Sequence, residues 1–318
     1  MDYAKQANAA CLMGCFMIIN LKKTAEEAWK VFQPYHTKFV PYRDATMGTC
    51  SYKCTILDCL RGLEYGMKLG WYNYSTFNVQ EYQHYEKVEN GDLNWIVPGK
   101  FIAFSGPQNV TDKYGSFTPD DYVPIFKKFG VSLVVRLNKP QYEKNKFVKA
   151  GIKHIDLYFL DGSTPPDDIV DKFLEHAESE KGAIAIHCKA GLGRTGSLIA
   201  LYCMKHFGFP PAAFTGWIRI ARPGSILGPQ QQYLITMDDR MMKAGGESKR
   251  RDLLGVSASP GAIGTPLIKK QLEDLSLKER TKMTKEEEFK GKYGDLNQAE
   301  NLLKQKYEKR GVGNSPKK

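Results

Sequence analysis

Ile184-Ala185-Ile186-His187-Cys188-Lys189-Ala190-Gly191-Leu192-Gly193-Arg194-Thr195-Gly196 decides how this chain is read. The apolar run 183–186 has the length of a short buried strand. Residues 195–207 form a dense apolar helical stretch closed by Gly208, with Pro210 and Pro211 beyond. The loop between them therefore enters a helix N-terminus, where unpaired N–H groups and the positive end of the helix dipole favour an anion. Gly191, Gly193 and Gly196 allow the backbone to curl so that successive amides, from Lys189 through Ala190 and Leu192 to Gly193, converge on phosphate oxygens.

Cys188 at the base of this cradle meets the same positive field, in the kind of electropositive setting where reactive cysteines are found. Arg194 follows after five intervening residues, placing a planar fork where it grips two phosphoryl oxygens. The Thr195 hydroxyl is placed to hydrogen-bond the sulfur, and His187 to order the loop. A buried cysteine is more often packing than chemistry. Here strand, His-Cys, glycines, Arg and Thr-Gly agree at every level.

Expelling an alkoxide from phosphorus needs a proton donor. Asp161 is the candidate, in Leu160-Asp161-Gly162-Ser163-Thr164-Pro165, after the strand-like run 155–159. A helix should follow: Thr164 as cap, Pro165 in the first turn, Asp167 completing a capping-box-like pair, and Ile169, Val170, Phe173, Leu174 and Ala177 as an apolar face. Asp-Gly is also what an ordinary turn uses. The succession strand, acid loop, helix, strand, nucleophile loop brings both loops to one carboxyl edge of a sheet, where ligands bind in open α/β folds.

Asp161-Gly162-Ser163-Thr164-Pro165, 187–196, Ala221-Arg222-Pro223-Gly224-Ser225 and Gly228-Pro229-Gln230-Gln231-Gln232 together resemble the cell-division-cycle fourteen phosphatases, dual-specificity protein phosphatases of the cysteine class. The likeness continues through Asn8-Ala9-Ala10, Pro41-Tyr42-Arg43-Asp44-Ala45 and residues 81–95, covering about residues 7 to 240. It implies Cys188 as nucleophile, Arg194 as phosphate ligand, Asp161 as acid and then base, and Gln230 and Gln231 as positioners of the attacking water. No metal or cofactor is implied. The implied fold is α/β: a central mixed, mostly parallel sheet flanked by helices, preceded by a truncated, mainly helical, inert phosphatase-like domain. The likeness begins at the middle of that domain, as in a trimmed lineage or an incomplete product.

The cradle alone fixes chemistry and not substrate. Phosphoinositide phosphatases with a similar loop carry a second lysine where this chain has Leu192. In the resembled family, acids within 81–95 line a groove that prefers a basic residue after phosphoserine-proline. Glu86 and Asp92 match groove acids, whereas Gln83 stands where the family has Glu, so a softened basic preference is expected. The same charged stretch also reads as a solvated helix face. The substrates implied are phosphoproteins made by proline-directed kinases. A phosphoinositide phosphatase and a non-catalytic phosphoprotein scaffold are the rival readings.

The 318 residues suffice for real cores, and seven cysteines, one of them a required thiolate, point to a reducing intracellular compartment. Cys11, Cys15, Cys50, Cys54 and Cys59 sit among apolar residues and read as packing. The apolar run 9–19 is too short to span a bilayer and reads as a buried helix. Strands are expected at 101–104, 131–137, 155–159 and 183–187, and a helix from Thr118-Pro119-Asp120-Asp121 to Gly130.

The expected organisation is a helical first part at 1–77, a connecting segment at 78–94, a catalytic domain at 95–243 and a basic tail at 244–318. About half of the +11 net charge falls in the tail. The tail is expected to be mostly disordered, with helical periodicity at 273–289 and 296–307 and a solvated basic run at Lys249-Arg250-Arg251. Without interleaved aromatic residues, that run gives no reason to expect nucleic-acid binding. Ser315-Pro316-Lys317-Lys318 matches the proposed substrate pattern and suggests self-dephosphorylation.

Overall fold

The computed structural model describes residues 2–46, 50, 52–110 and 116–255; the tail expectations beyond 255, Ser315-Pro316 included, lie outside the described residues. Five strands form one sheet: β1 (Leu93–Val97), β2 (Phe101–Phe104), β3 (Val131–Arg136), β4 (Lys153–Asp156) and β5 (Ala183–His187), in the order β1-β2-β5-β3-β4. β1 runs antiparallel to β2, whereas β2, β5, β3 and β4 are parallel. The helices are α1 (Tyr3–Ile19), α2 (Ala25–Phe32), α3 (Ile56–Lys68), α4 (Val79–Tyr85), α5 (Pro119–Lys128), α6 (Asn145–Lys149), α7 (Asp167–Ser179), α8 (Gly193–Phe207), α9 (Pro211–Ala221), α10 (Pro229–Thr236), α11 (Asp238–Met241) and α12 (Glu247–Leu254). No helix among the described residues is long and apolar enough to cross a membrane.

Alternation along the strands splits the core in two. Phe101, Ala103, Leu133, Val135, Ile184 and Ile186 cluster with Phe173 of α7, Leu198 of α8 and Phe214 of α9. Ile102, Phe104, Val134, Ala183 and Ala185 cluster with Phe126 of α5 and Phe147 of α6. Both faces are covered, as a parallel sheet requires. Fully burying each of the valine, leucine, isoleucine and phenylalanine side chains contributes about 1.5–3 kcal/mol.

The expected strand at 155–159 is shifted: pairing covers Lys153–Asp156, and the chain then stays extended, with Leu157 and Phe159 amides reaching the Arg136 and Leu137 carbonyls. The expected helix start at Thr164 is also corrected. α7 begins at Asp167 with Pro166 as its N-cap, because Thr164 and Pro165 each precede a proline and are held out of the helical region. The capping box at Thr118 and Asp121 opens α5 as expected, the Thr118 amide reaching Asp121 Oδ2 at 2.8 Å.

In the first part, Ala7, Ala10 and Ile18 of α1, Ala25 and Ala28 of α2, and Ile56, Leu60 and Leu63 of α3 share one small core, with Cys11 and Cys15 packed against it. α3 then lies directly on α9. A Cβ on Gly62 would fall 2.5 Å from the Ala213 carbonyl, and one on Gly216 2.4 Å from the Asp58 carbonyl. At the other end, packed structure continues past Lys243. Leu253 of α12 is buried, and Arg250 donates to the Gly208 carbonyl at 2.9 Å and pairs with Asp238. The run 249–251 therefore contains an anchoring residue rather than only solvated charge.

Candidate active site

β5 delivers His187 and Cys188 to the carboxyl edge of the sheet, and α8 begins at Gly193. Between them the chain turns back under Phe104 so closely that a Cβ on Gly191, whose φ is +64°, would sit 1.9 Å from the Phe104 carbonyl oxygen. Only glycine fits there. The carbonyls of Ala190 and Gly191 are drawn outward by the Arg222 guanidinium, whose Nη2 and Nε donate to them at 3.0 and 2.8 Å. In a trans peptide C=O and N–H point opposite ways, so the amides of Gly191 and Leu192 turn the other way, into the loop. The Lys189 carbonyl accepts from the Gly106 amide at 2.9 Å.

Arg222 is itself braced by Asn94 Oδ1 at 2.7 Å and by Asp92 Oδ1 at 3.0 Å, in a pair with side chains 1% and 2% exposed. This corrects the reading of Asp92 as a groove acid. Its carboxylate faces inward onto Arg222 and stiffens the phosphate loop. Glu86, at the C-cap of α4, remains half-buried at the surface.

Cys188 is 3% exposed and Arg194 1%. Arg194 Nη1 donates to the Phe159 carbonyl at 3.0 Å and the Leu137 carbonyl at 3.3 Å, so the extended chain after β4 orients the fork. Its Nη2 lies 3.0 Å from Asp161 Oδ1. Asp161 sits in a real turn, closed by the Ser163 amide on the Leu160 carbonyl at 3.2 Å. That turn carries the carboxylate onto the arginine. The Thr195 hydroxyl is buried and has no hydrogen-bond partner among the described residues.

His187 anchors the loop through a proton order that the contacts dictate. Its Nδ1 lies 2.8 Å from the Cys188 carbonyl, which can only accept, so Nδ1 carries the hydrogen. Burial lowers its pKa to about 3, so the ring is neutral and Nε2 is an acceptor. Tyr142 must then donate its hydroxyl proton to His187 Nε2 at 2.8 Å and accept from His154 Nε2 at 2.7 Å. His154 is likewise held neutral, lowered to about 4 by burial and then by the Arg136 charge.

The two glutamines separate. Gln230 touches both loops: its Nε2 donates to the Ser163 carbonyl at 3.1 Å, and a Cβ on Gly193 would fall 2.7 Å from its Oε1. Gln231 faces away, between Arg219 Nη2 at 2.6 Å and Asp44 Oδ2 at 2.8 Å. Leu192 is buried with Ala190, Leu227 and Ala45. Sequence reasoning assigned no role to Tyr142, Asn94, Asp44 or Arg222. Arg222, Asp44 and Asn94 had a signal, since each stands in a stretch that resembles the family, whereas Tyr142 had none.

A cleft of about 980 Å³ lies between the first part of the chain, α4 and α9, and neither residues 187–196 nor Asp161 is among its lining. Arg43, Asp44 and Ala45 of the first part, Glu81, Tyr82 and Tyr85 of α4, and Pro223 and Gly224 line it. Glu81 pairs with Lys128 at 3.0 Å.

Residues 1–66 match the profile of the dual specificity protein phosphatase N-terminal half, and residues 90–233 that of the Swiss Army Knife protein DSP-PTPase phosphatase domain. Dual specificity protein phosphatase CDC14A of Homo sapiens is 50% identical over 280 residues, 87% of this chain and 47% of that protein. CDC14B of Mus musculus is 45% identical over 279 residues, 87% of this chain and 57% of that protein. Tyrosine-protein phosphatase cdc-14 of Caenorhabditis elegans is 47% identical over 234 residues, 72% and 33% of the two chains. Among solved structures, Tk-PTP in its active form has a TM-score of 0.39 and 19% identity, covering 46% of this chain and 96% of that one. The chain spans about half the length of the human relative. With identity near one half running from the helical first part through the phosphate loop, the chain belongs to the CDC14 family of dual-specificity phosphatases.

Proposed function

We propose that the chain hydrolyses phosphoserine, phosphothreonine and phosphotyrosine monoesters of proteins through a cysteinyl-phosphate. The observation that carries this reading is the convergence of Cys188, Arg194 and Asp161 at one loop edge, with Asp161 3.0 Å from the arginine. Substrate phosphate takes the place of Asp161 on Arg194. The Cys188 sulfur then attacks phosphorus, the P–O bond breaks, and Asp161 gives its proton to the departing oxygen. Water attacks the cysteinyl-phosphate, Asp161 takes the water's proton, and the P–S bond breaks to release phosphate and Cys188. Arg194 and the loop amides hold the phosphoryl oxygens through both steps, with Thr195 donating to the sulfur as it leaves. His187 holds the loop in place for these amides.

The preferred substrate is phosphoserine-proline with a downstream basic residue, docked through the cleft. Leu192 in an apolar cluster, where inositol-lipid enzymes carry a lysine, supports protein over lipid phosphate. With Gln83 neutral and Asp92 turned inward onto Arg222, Glu86 is the remaining family-matched acid for that basic residue, which supports a mild preference. Seven free thiols support a reducing, intracellular setting.

A turnover panel tests the proposal. Phosphopeptides with and without the proline and the downstream lysine, and a phosphoinositide, are compared on the wild type, Cys188→Ser and Asp161→Ala. Cys188→Ser is expected to abolish turnover and Asp161→Ala to lower kcat about 10²–10⁴-fold on phosphoserine. Lipid hydrolysis exceeding peptide hydrolysis, or equal rates without proline, overturns the substrate assignment. A wild type without turnover favours the scaffold reading.

A further inference from the structure

The second half-reaction needs a placed water, and Gln230, the glutamine that bridges the acid loop and the phosphate loop through Ser163 and Gly193, sits on a loop that the first part of the chain helps to hold. Two residues before it, Gly228 adopts φ +51° and ψ −127°, and Ile226 has φ +59°, a backbone region that a β-branched residue rarely enters. Such backbone persists only where surrounding contacts impose it. Arg219 of α9 imposes part of it, donating to the Ser225 and Ile226 carbonyls and to Gln231 Oε1, and the first part of the chain supplies a second hold from the opposite side. Asp44 Oδ2 accepts the Gly228 amide at 2.6 Å and the Gln231 side-chain amide at 2.8 Å. Its Oδ1 accepts the Thr46 hydroxyl at 2.6 Å and the Thr46 amide at 3.2 Å. The carboxylate is only 5% exposed, and the next residue, Ala45, packs on Ala190, Leu192 and Leu227, two of them in the phosphate loop.

We infer that Asp44 is a positioning residue for hydrolysis of the cysteinyl-phosphate: it fixes the loop 226–231 from across the domain boundary, and through it sets Gln230 against the phosphate and acid loops. The inference rests on the two-step reading above. It assigns the first part a catalytic service, so that this part is not merely an inert neighbour. Asp44 touches neither Cys188, Arg194 nor Asp161 by any bond described above, so the first step should be largely indifferent to it. The attacking water arrives only in the second step, and that step should carry the loss.

The test uses the full chain, p-nitrophenyl phosphate and rapid acid quench. Asp44→Ala is expected to lower kcat by about 10–100-fold while kcat/KM, which reports the first step, stays within about 3-fold. A burst of nitrophenol should appear, with cysteinyl-phosphate accumulating on the enzyme. Asp44→Asn should recover part of the loss, since its carbonyl can still accept from Gly228 and Gln231 and its amide can donate to the Thr46 hydroxyl, although it no longer accepts the Thr46 amide. Equal falls in kcat and kcat/KM, or an Asp44→Ala intermediate that hydrolyses at the wild-type rate, overturn the inference. If Asp44→Ala does not fold, Gln231→Met decides: a smaller split of the same kind supports the inference, and a uniform loss or none overturns it. A wild type that traps no cysteinyl-phosphate at all instead refutes the two-step reading.

Discussion

Tyr142 is the single hydroxyl on which the loop's proton order depends. Replaced by Phe, it leaves His187 Nε2 buried without a donor and His154 Nε2–H without its acceptor. An unsatisfied buried polar atom costs about 1–3 kcal/mol, so Tyr142→Phe should lower stability by about that much in chemical denaturation. Unchanged stability would mean that the assigned proton order is wrong. Asp92 and Glu86 can be separated in the same way. Asp92→Asn leaves the buried Arg222 charge without its counterion, and breaking one partner of a buried pair costs about 3–5 kcal/mol. The damage should fall equally on every substrate, because the disturbed object is the loop. Glu86→Gln should weaken only peptides with a downstream lysine or arginine, by at most about 5-fold, the worth of an exposed pair. A Glu86→Gln enzyme that loses all peptides alike would remove Glu86 from the groove. Cys188, Arg194 and Asp161 could be named as candidates from the sequence because the chemistry proposed for them is local to two loops. Family likeness placed Asp92 in the groove, whereas its carboxylate turns inward onto Arg222, because its direction is set by a backbone turn, φ +46° after Gly91, and by a partner far along the chain.

Between elements, the seam of α3 and α9 is where small residues matter most. Gly62 and Gly216 let the helices approach until backbone meets backbone, so Gly62→Ala has no flexible side chain to push aside. Overpacking of this kind costs about 1–3 kcal/mol, outweighing alanine's better helix propensity of about 1 kcal/mol. Urea denaturation should show the loss, and Gly216→Ala added to it should cost less than its single effect, since both open the same seam. Strict additivity would place the two glycines in independent contacts. The strands at 101–104 and 183–187 are legible as apolar runs bounded by polar residues. β1 is not, because Asn94 interrupts its apolar pattern in order to reach Arg222. Nor is the start of α7, where consecutive prolines override a good-looking cap.

For the whole molecule, what the sequence hides is how the first part and the catalytic sheet are tied together. Asp44 with Gly228, Lys68 with the Leu253 carbonyl at 3.3 Å, and Gly62 with Gly216 join residues more than a hundred positions apart, which no periodicity encodes. Such ties should make acid unfolding cooperative, and the buried histidines set where it begins. Both His187 and His154 have folded pKa values below the 6.5 of an exposed imidazole, about 3 and about 4. Above pH 6.5 neither state binds the proton, and stability is full. Below it the unfolded chain is protonated while the folded chain is not, so stability falls with pH until each folded value is reached. The slope is about 1.4 kcal/mol per pH unit for the fully buried His187, and less for His154, which keeps some solvent screening. The carboxylates held below their usual range, such as Glu178 and Glu180, add to the loss only further down, below about pH 4.5. Urea midpoints measured at pH 7, 6 and 5 should therefore decline below 6.5, and His154→Gln should flatten that decline without removing it. A midpoint that stays level from pH 7 to 5 would mean that the histidines accept protons in the folded chain, and that the Tyr142 relay is not sealed from water.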